Sequence, residues 1–421
     1  MPWVFDNEIS YIKHRGSEKE SWKNESFAEC TLADGTAVEV YSKAGGFLGT
    51  GILNKKSKIA VRIIGHENAD VILADTDSYF EKKVLDAWTL RQSYYSPEDS
   101  YRLIFGEADL IPGLICERFC DENGKVILLI QFLSLSCNIF RIQILSALCK
   151  ICKPDAIYER SDAAVRDKEG LPEVDGWVDI TKEDFPVVLR PLRQAQGPQV
   201  PQGIHEGKIT IVENGIKLGV DIVNGQKTGY FLDQKFNRQV AARFCKDKRV
   251  LDTFTHTGAF GLNAYKAGAS EVISVDISPE AVEMVNHNIE LNKAGEKMKA
   301  VCADVFDLLK QYEASEEKFD VIILDPPAFT KSAKAIEKAY GGYKEINLRA
   351  MRLLKPNGIL VTCSCSYFME TNMFCDMIMH AAMDSHRRVQ ILEKHGAGPD
   401  HPVLLGYPKS DYLKCVVCRV I

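Results

Sequence analysis

"RVLDTFTHTGAFGLNAYKAGASEVISVDIS", residues 249–278, decides how this chain folds. A short apolar run leads into a turn holding glycines. A helical pattern follows, and a second apolar run ends in an acid. Strand, turn, helix and strand in that order require a parallel sheet, because the crossover returns the chain to the same edge. The alternation continues downstream. "PEAVEMVNHNIELN" reads as a helix with Ser278 as N-cap and Pro279 at its first position. "KAVCAD" leads into "VFDLLKQYE", and "FDVIILD" into a loop and a helix ending near Leu354. "GILVTCSC" leads into a helix after Tyr367, and "RRVQILEK" and "YLKCVVCRVI" supply two more strands. Such apolar strands predict a sheet covered on both faces, with ligands beyond the carboxyl ends of the strands.

Those ends are chemically marked. The first carries "DTFTHTGAFG", a glycine turn opening a helix, which offers free backbone N–H groups. Gly258 and Gly261 supply two glycines of a G-x-G-x-x-G pattern, but His256 stands where the first belongs, so the turn suits a less phosphate-like cofactor than a dinucleotide. Asp276 ends the second strand, where a carboxylate can accept both hydroxyls of a ribose. Asp304 ends the third, able to receive an adenine amino group, and Asp325 begins "DPPAF" after the fourth. A single strand-end Asp is often just a solvated turn residue. Four acids in sequence order, with a glycine turn on the first, point to a nucleoside-bearing cofactor.

Upstream the character differs. Residues 1–70 hold short β-like runs, "TAVEVYS" and "KIAVRII", broken by "DG" and "AGG", and predict a small β-rich domain. Residues 71–189 predict a small α+β domain, with helices at 77–94 and 138–152 around "ADLIPGLICERF", "KVILLIQF" and "AIYERSD". Residues 190–203, "RPLRQAQGPQVPQG", have no apolar period and predict a flexible low-complexity loop before a hairpin-like entry at 204–232. Residues 204–421 then form the sheet domain.

Composition narrows the function class. The 421 residues are 46% hydrophobic and 26% charged, as in an ordinary soluble protein. No signal-peptide pattern and no apolar run of membrane length is visible, so the cytoplasm is expected. Thirteen cysteines then read as mostly free thiols. "CKIC" (149–152) falls on a helical pattern and "CVVC" (415–418) on a strand, so neither is expected to hold a metal. The net charge of −6, from 52 basic and 58 acidic residues, does not advertise a nucleic-acid binder. Residues 8–24, "EISYIKHRGSEKESWKN", interleave bases and aromatics and read either as a solvated surface or as an RNA contact.

"LVTCSCSYF", residues 360–368, adds two thiols on one face of the fifth strand. Cys363 lies deeper and reads as a small core hydrophobe. Cys365 lies nearer the ligand cleft, beside Asp325 on the neighbouring strand. The order of the marked strand ends resembles the S-adenosylmethionine site of class I methyltransferases, and most methyl acceptors are lone pairs that need no nucleophile. The C5 carbon of cytosine differs, because a thiolate must first add at C6 to make C5 enamine-like. A carboxyl group at N3 stabilises that adduct.

At this point the chain resembles the RlmI-type 23S rRNA (cytosine-5) methyltransferases. "YRLIFGEADLIPGLICERF", "AIYERSDAAVRDKEG", "KTGYFLDQKFNR", "VLDTFTHTGAFGLNA", "VDIS", "DPPAFTKS", "GGYKEINLRA", "CSCS" and "DHPV" carry the resemblance in order along nearly the whole chain. It implies a PUA-like RNA-binding domain, a small α+β domain and a Rossmann-like class I methyltransferase sheet. It implies S-adenosyl-L-methionine as cofactor, held by Gln234, Phe254, Thr257, Gly258, Asp276, Ile277, Asp304 and Asp325. It implies Cys365 and Asp325 as catalytic residues and no metal. The expected partners are large-subunit rRNA and no membrane, with a homodimer left open. Two other readings stand beside this one: a guanine N-methyltransferase, which shares "DPP" but needs no cysteine, and a non-catalytic RNA-binding or ribosome-assembly factor. The "RQAQGPQVPQ" stretch has no counterpart in the family pattern.

Overall fold

A computed structural model describes residues 2–15, 22–179, 204, 206–330 and 332–421. The segment 190–203 read as a low-complexity loop lies outside the described residues. The chain forms two compact units, residues 1–207 with 400–410, and residues 208–399 with 411–421.

In the first unit an antiparallel sheet runs Trp3–Val4, Val61–Gly65, Phe47–Leu53, Ala37–Tyr41. A separate hairpin pairs Ile12–Arg15 with Trp22–Glu25. A five-stranded sheet runs Val174–Val178, Ala156–Ser161, Val126–Phe132, Leu114–Cys120, Tyr101–Phe105, flanked by helices Thr76–Gln92 and Arg141–Cys152. Cys149 and Cys152 are buried free thiols on the second of these helices. Residues 400–410 return to this unit. Asp400 accepts the Arg102 N–H at 2.9 Å, its carbonyl accepts from Arg91 at 2.8 Å, and Tyr407 packs edge-on against Trp3.

The second unit opens with a hairpin, Lys208–Glu213 and Ile216–Asp221. Asn214 and Gly215 turn it with φ of +54° and +70°, the left-handed pair that a two-residue hairpin demands. The main sheet has strands β1 (Arg249–Thr253), β2 (Glu271–Asp276), β3 (Met298–Cys302), β4 (Phe319–Leu324), β5 (Leu354–Ser364), β6 (Val389–His395) and β7 (Lys414–Val420). Their spatial order is β3-β2-β1-β4-β5-β7-β6. The first five are parallel, as the alternation requires. The last hairpin adds β7 antiparallel to β5, inserted between β5 and β6.

Helices α1 (Lys235–Ala242), α2 (Ala259–Lys266), α3 (Pro279–Leu291), α4 (Val305–Ala314), α5 (Ile336–Leu353) and α6 (Thr371–Asp384) belong to the same unit. Ser278 caps α3 by accepting the Ala281 N–H at 3.1 Å, with Pro279 next, as the sequence predicts. One core cluster gathers Leu251, Ile273, Ile322, Tyr343, Phe374 and Val416 from strands and helices alike. Strand order reverses between β1 and β4, and the crevice at that point is where open α/β sheets take ligands.

Candidate active site at the strand ends

The loop after β1 is built against backbone preference. Phe254, His256 and Gly258 all take left-handed φ, at +56°, +53° and +79°. For the two non-glycine residues this costs about 1–3 kcal/mol each, so the surroundings must hold them. Asp276 does part of this. One of its oxygens accepts the His256 N–H at 2.9 Å and the other accepts the Ser278 N–H at 3.1 Å. Asp252, buried at the end of β1, accepts from the Ser274 hydroxyl at 3.0 Å, from the Gly261 N–H at 2.9 Å and from the Thr255 hydroxyl. Burial pushes its carboxyl up to about 6 in spite of these donors. Burial also pushes the His256 imidazole down to about 4, which keeps it neutral near pH 7.

Glycine is required twice here. Gly258 needs its positive φ, and a Cβ on Gly261 would stand 2.3 Å from the Ser274 hydroxyl. Thr257 is buried, and its carbonyl accepts from Asn288 at 2.8 Å. Phe254 turns its ring toward Phe329 of "DPPAF", with centroids 6.4 Å apart.

Beyond β2, Ile277 leaves its side chain 63% exposed, one residue after the Asp276 carboxylate. An apolar face beside an acceptor is what a nucleoside needs: a surface for the base and a partner for the ribose hydroxyls. Asp304 stands exposed at the end of β3, and one oxygen caps α4 by accepting Phe306 N–H at 2.8 Å and Asp307 N–H at 3.3 Å. Capping is thus a settled role for Asp304, and only its other oxygen is open to a ligand.

The fourth and fifth strands bring the remaining candidates together. Gln234 is buried and donates to Asp325 at 2.9 Å, while its carbonyl accepts from Asn237 at 2.6 Å. Asp233 beside it accepts the Tyr412 hydroxyl at 2.5 Å. Protein packed around Asp325, reinforced by the negative Asp233, pushes its carboxyl up to about 7. This group is therefore an acid and a base in comparable amounts near neutral pH.

Leu324 pairs with Thr362, so one residue further Asp325 is level with Cys363, and Cys365 stands two residues beyond. Cys363 is fully buried; contact with Cys415 and burial hold its thiol far above the ordinary range. Cys365 is partly exposed. Burial, then the Asp325 charge, pushes its thiol up to about 11, and Lys227 works in the opposite direction. Asn237 and Lys227 were not singled out from sequence, and Asp252 was counted there only as the first of the four strand-end acids. Asn237 and Lys227 both stand in "KTGYFLDQKFNR", Asn237 about one helical turn after Gln234.

Known proteins share this fold. A family profile described as S-adenosylmethionine-dependent methyltransferase covers residues 155–406, and one described as PUA-like domain covers residues 1–65. "Ribosomal RNA large subunit methyltransferase I" of Photobacterium profundum is 38% identical over all of this chain and 95% of its own length. The chain belongs to the ribosomal RNA large subunit methyltransferase I family. The protein of the same name from Tolumonas auensis is 37% identical, again over all of this chain and 95% of that one. Among solved structures, a putative S-adenosylmethionine-dependent methyltransferase from Streptococcus mutans shares the fold. Its TM-score is 0.71, at 22% identity, over 94% of this chain and 93% of that one. A putative methyltransferase complexed with S-adenosylhomocysteine gives a TM-score of 0.72 at the same identity and coverage. The family is S-adenosylmethionine-dependent.

Among the described residues, no helix is long and apolar enough to cross a membrane. Nor does any group of three or more His, Cys, Asp and Glu among them have the spacing to hold a metal.

Proposed function

We propose that this protein methylates C5 of a cytosine in large-subunit rRNA, in the cytoplasm, with Cys365 as nucleophile. The observation that carries this reading is the partly exposed Cys365 thiol just past the carboxyl end of β5, close to a carboxyl that burial pushes up to about 7. The relatives, named for the large-subunit ribosomal RNA, supply the substrate class. The cofactor would lie across the ends of β1, β2 and β3, on Phe254, Thr257, Gly258, Asp276, Ile277 and Asp304, with Gln234 and Asp325 closing the reacting end.

When bound, S-adenosylmethionine supplies an electrophilic methyl group. The chain's own residues do the rest. The Cys365 sulfur adds to C6, and the displaced electron pair reaches N3. Asp325, whose carboxyl burial pushes up to about 7 so that it still carries its proton in part near neutral pH, gives N3 that proton. Gln234 holds one oxygen of that carboxyl, which fixes its plane. C5 then has enamine character and can accept the methyl. Loss of the C5 proton to solvent, departure of the Cys365 sulfur as thiolate and return of the N3 proton to the Asp325 carboxylate restore the ring. The target base must leave its stack to reach the thiol, so unpaired cytosine should react faster.

RNA carrying 5-fluorocytosine tests this. Fluorine replaces the proton that must leave, so the S–C6 adduct should survive denaturing electrophoresis for the parent and for Cys363→Ala. It should vanish for Cys365→Ala. An adduct that persists in Cys365→Ala and disappears in Cys363→Ala would move the nucleophile to the deeper thiol. Methyl transfer to guanine surviving Cys365→Ala would instead support the N-methyltransferase reading.

A further inference from the structure

Lys414 is the other buried ionisable group beside this thiol. It begins β7, pairs directly with Ser364 on β5, and is only 5% exposed. Its ammonium donates to the Ser366 carbonyl at 2.7 Å and to the Tyr412 carbonyl at 2.7 Å. Ser366 directly follows Cys365, so the lysine head is tied to the turn that carries the proposed nucleophile. No ion pair among the described residues involves it. A buried ammonium with carbonyl partners alone is an expensive arrangement, because carbonyl dipoles replace its hydration without neutralising its charge.

We infer that Lys414 is a positioning residue for Cys365, fixing the Cys365–Ser366 turn and supplying the positive charge that lets the thiolate form. This deepens the reading of Cys365 as nucleophile and rests on it. The groups acting on the thiol are Asp325 and Asp233, which oppose its ionisation, and Lys227, which favours it from an exposed position. Those acting on Lys414 are Cys365, Asp411 and Glu370, all of which favour the ammonium. Burial outweighs them and pushes Lys414 down to about 8. Near neutral pH most of the lysine is still charged. Ionising the thiol beside it adds a negative partner to a buried cation whose burial Asp411 and Glu370 offset only in part, and that gain is available to Cys365. Asp325 lowers its opposition in the same range when it takes up a proton.

The test reads thiol ionisation without RNA or cofactor. Iodoacetamide alkylation of the full-length protein is followed by mass spectrometry on the Cys365 peptide from pH 6.5 to 10.5. The exposed Cys302 serves as internal control. Lys414→Gln keeps amide donors but no charge, and Lys414→Arg keeps the charge. Lys414→Gln should slow Cys365 alkylation at pH 8 at least roughly ten-fold, moving its profile up by about one pH unit, while Cys302 is unchanged. Lys414→Arg should retain most of the parent profile. A Cys365 profile identical in parent and Lys414→Gln would overturn the inference, and so would equal losses in both variants with Cys302 unmoved. Neither outcome bears on the 5-fluorocytosine adduct, whose presence depends on Cys365 itself.

Discussion

Two carboxylates with opposite duties mark the residue scale. Asp276 is a hydrogen-bond acceptor that shapes its own loop, and Asp276→Ala should weaken S-adenosylmethionine binding by about 1.5–3 kcal/mol, roughly ten- to a hundred-fold, in calorimetry. An unchanged dissociation constant would remove it from the cofactor site. Asp325 has a folded-state value raised to about 7, above the ordinary carboxylate range. Its protonated form therefore supports the fold fully below about pH 4, and that support is lost as pH rises through 7. Asparagine mimics the protonated form and keeps an oxygen for Gln234 to donate to. Asp325→Asn should match the parent in urea at pH 4.5 and exceed it at pH 8 by on the order of 2–4 kcal/mol, the lower end because the carboxyl keeps some solvent. A difference that does not change with pH would contradict this, and methyl transfer should be lost in the same variant. From sequence, the strand-end position of both acids was legible. Their difference was not, because it arises first from the burial of Asp325 and then from the charge of Asp233, some ninety positions earlier along the chain.

At the scale of elements, the period of apolar residues told strand from helix because both faces of this sheet are covered, leaving long unbroken runs. What pattern could not give was adjacency among the last strands. β7 enters between β5 and β6, which places Lys414 and Tyr412 against the thiol and the Asp233 loop. Nothing local to residues 411–414 signals that. The turn after β1 illustrates the converse, a local requirement plain in the letters. Gly261 lets α2 lie close on β2, where a Cβ would meet Ser274 at 2.3 Å and Met298 at 2.8 Å. Gly261→Ala gains helix propensity of about 1 kcal/mol. Overpacking against a buried hydroxyl and the Asp252 carboxylate costs about 1–3 kcal/mol. The net expectation is a lower melting temperature and weaker cofactor binding, since the displaced strand end carries Asp276. A variant as stable as the parent would show that the helix can shift without cost.

Taken as a whole, the molecule spends several of its most recognisable motifs on holding the first unit together. Glu107 of "FGEAD" accepts the Trp3 indole N–H at 2.7 Å and from Arg62 at 3.1 Å. Glu169 of "DKEG" accepts from Arg62 at 2.8 Å, from Ser57 at 2.7 Å, from Asn54 at 3.1 Å and from the Leu135 N–H at 3.2 Å. Arg62 lies in the β-rich sheet and the two glutamates in the α+β part, so one guanidinium joins them inside this unit. Burial pushes the Glu169 carboxyl up, but Arg62 and the neutral donors more than offset it and hold it below the usual range. A carboxylate depressed in this way stabilises the fold above its unfolded value, near 4.5, and loses that contribution as pH falls through its folded one. Removing the partner of a buried charge is worse than never having had the pair, at about 3–5 kcal/mol. All four tryptophans, Trp3, Trp22, Trp88 and Trp177, belong to this unit, so their fluorescence follows its unfolding selectively. Arg62→Met should therefore lower the tryptophan-detected stability by about 3–5 kcal/mol at pH 7. As pH falls below 4.5 and through the lowered range in which Glu169 takes up a proton, the gap to the parent should narrow. Arg62→Lys, which offers a point charge in place of a fork, should fall between. A loss under about 1 kcal/mol at pH 7 would mean that water or a rearranged neighbour replaces the arginine, and that the two parts cohere by apolar packing alone.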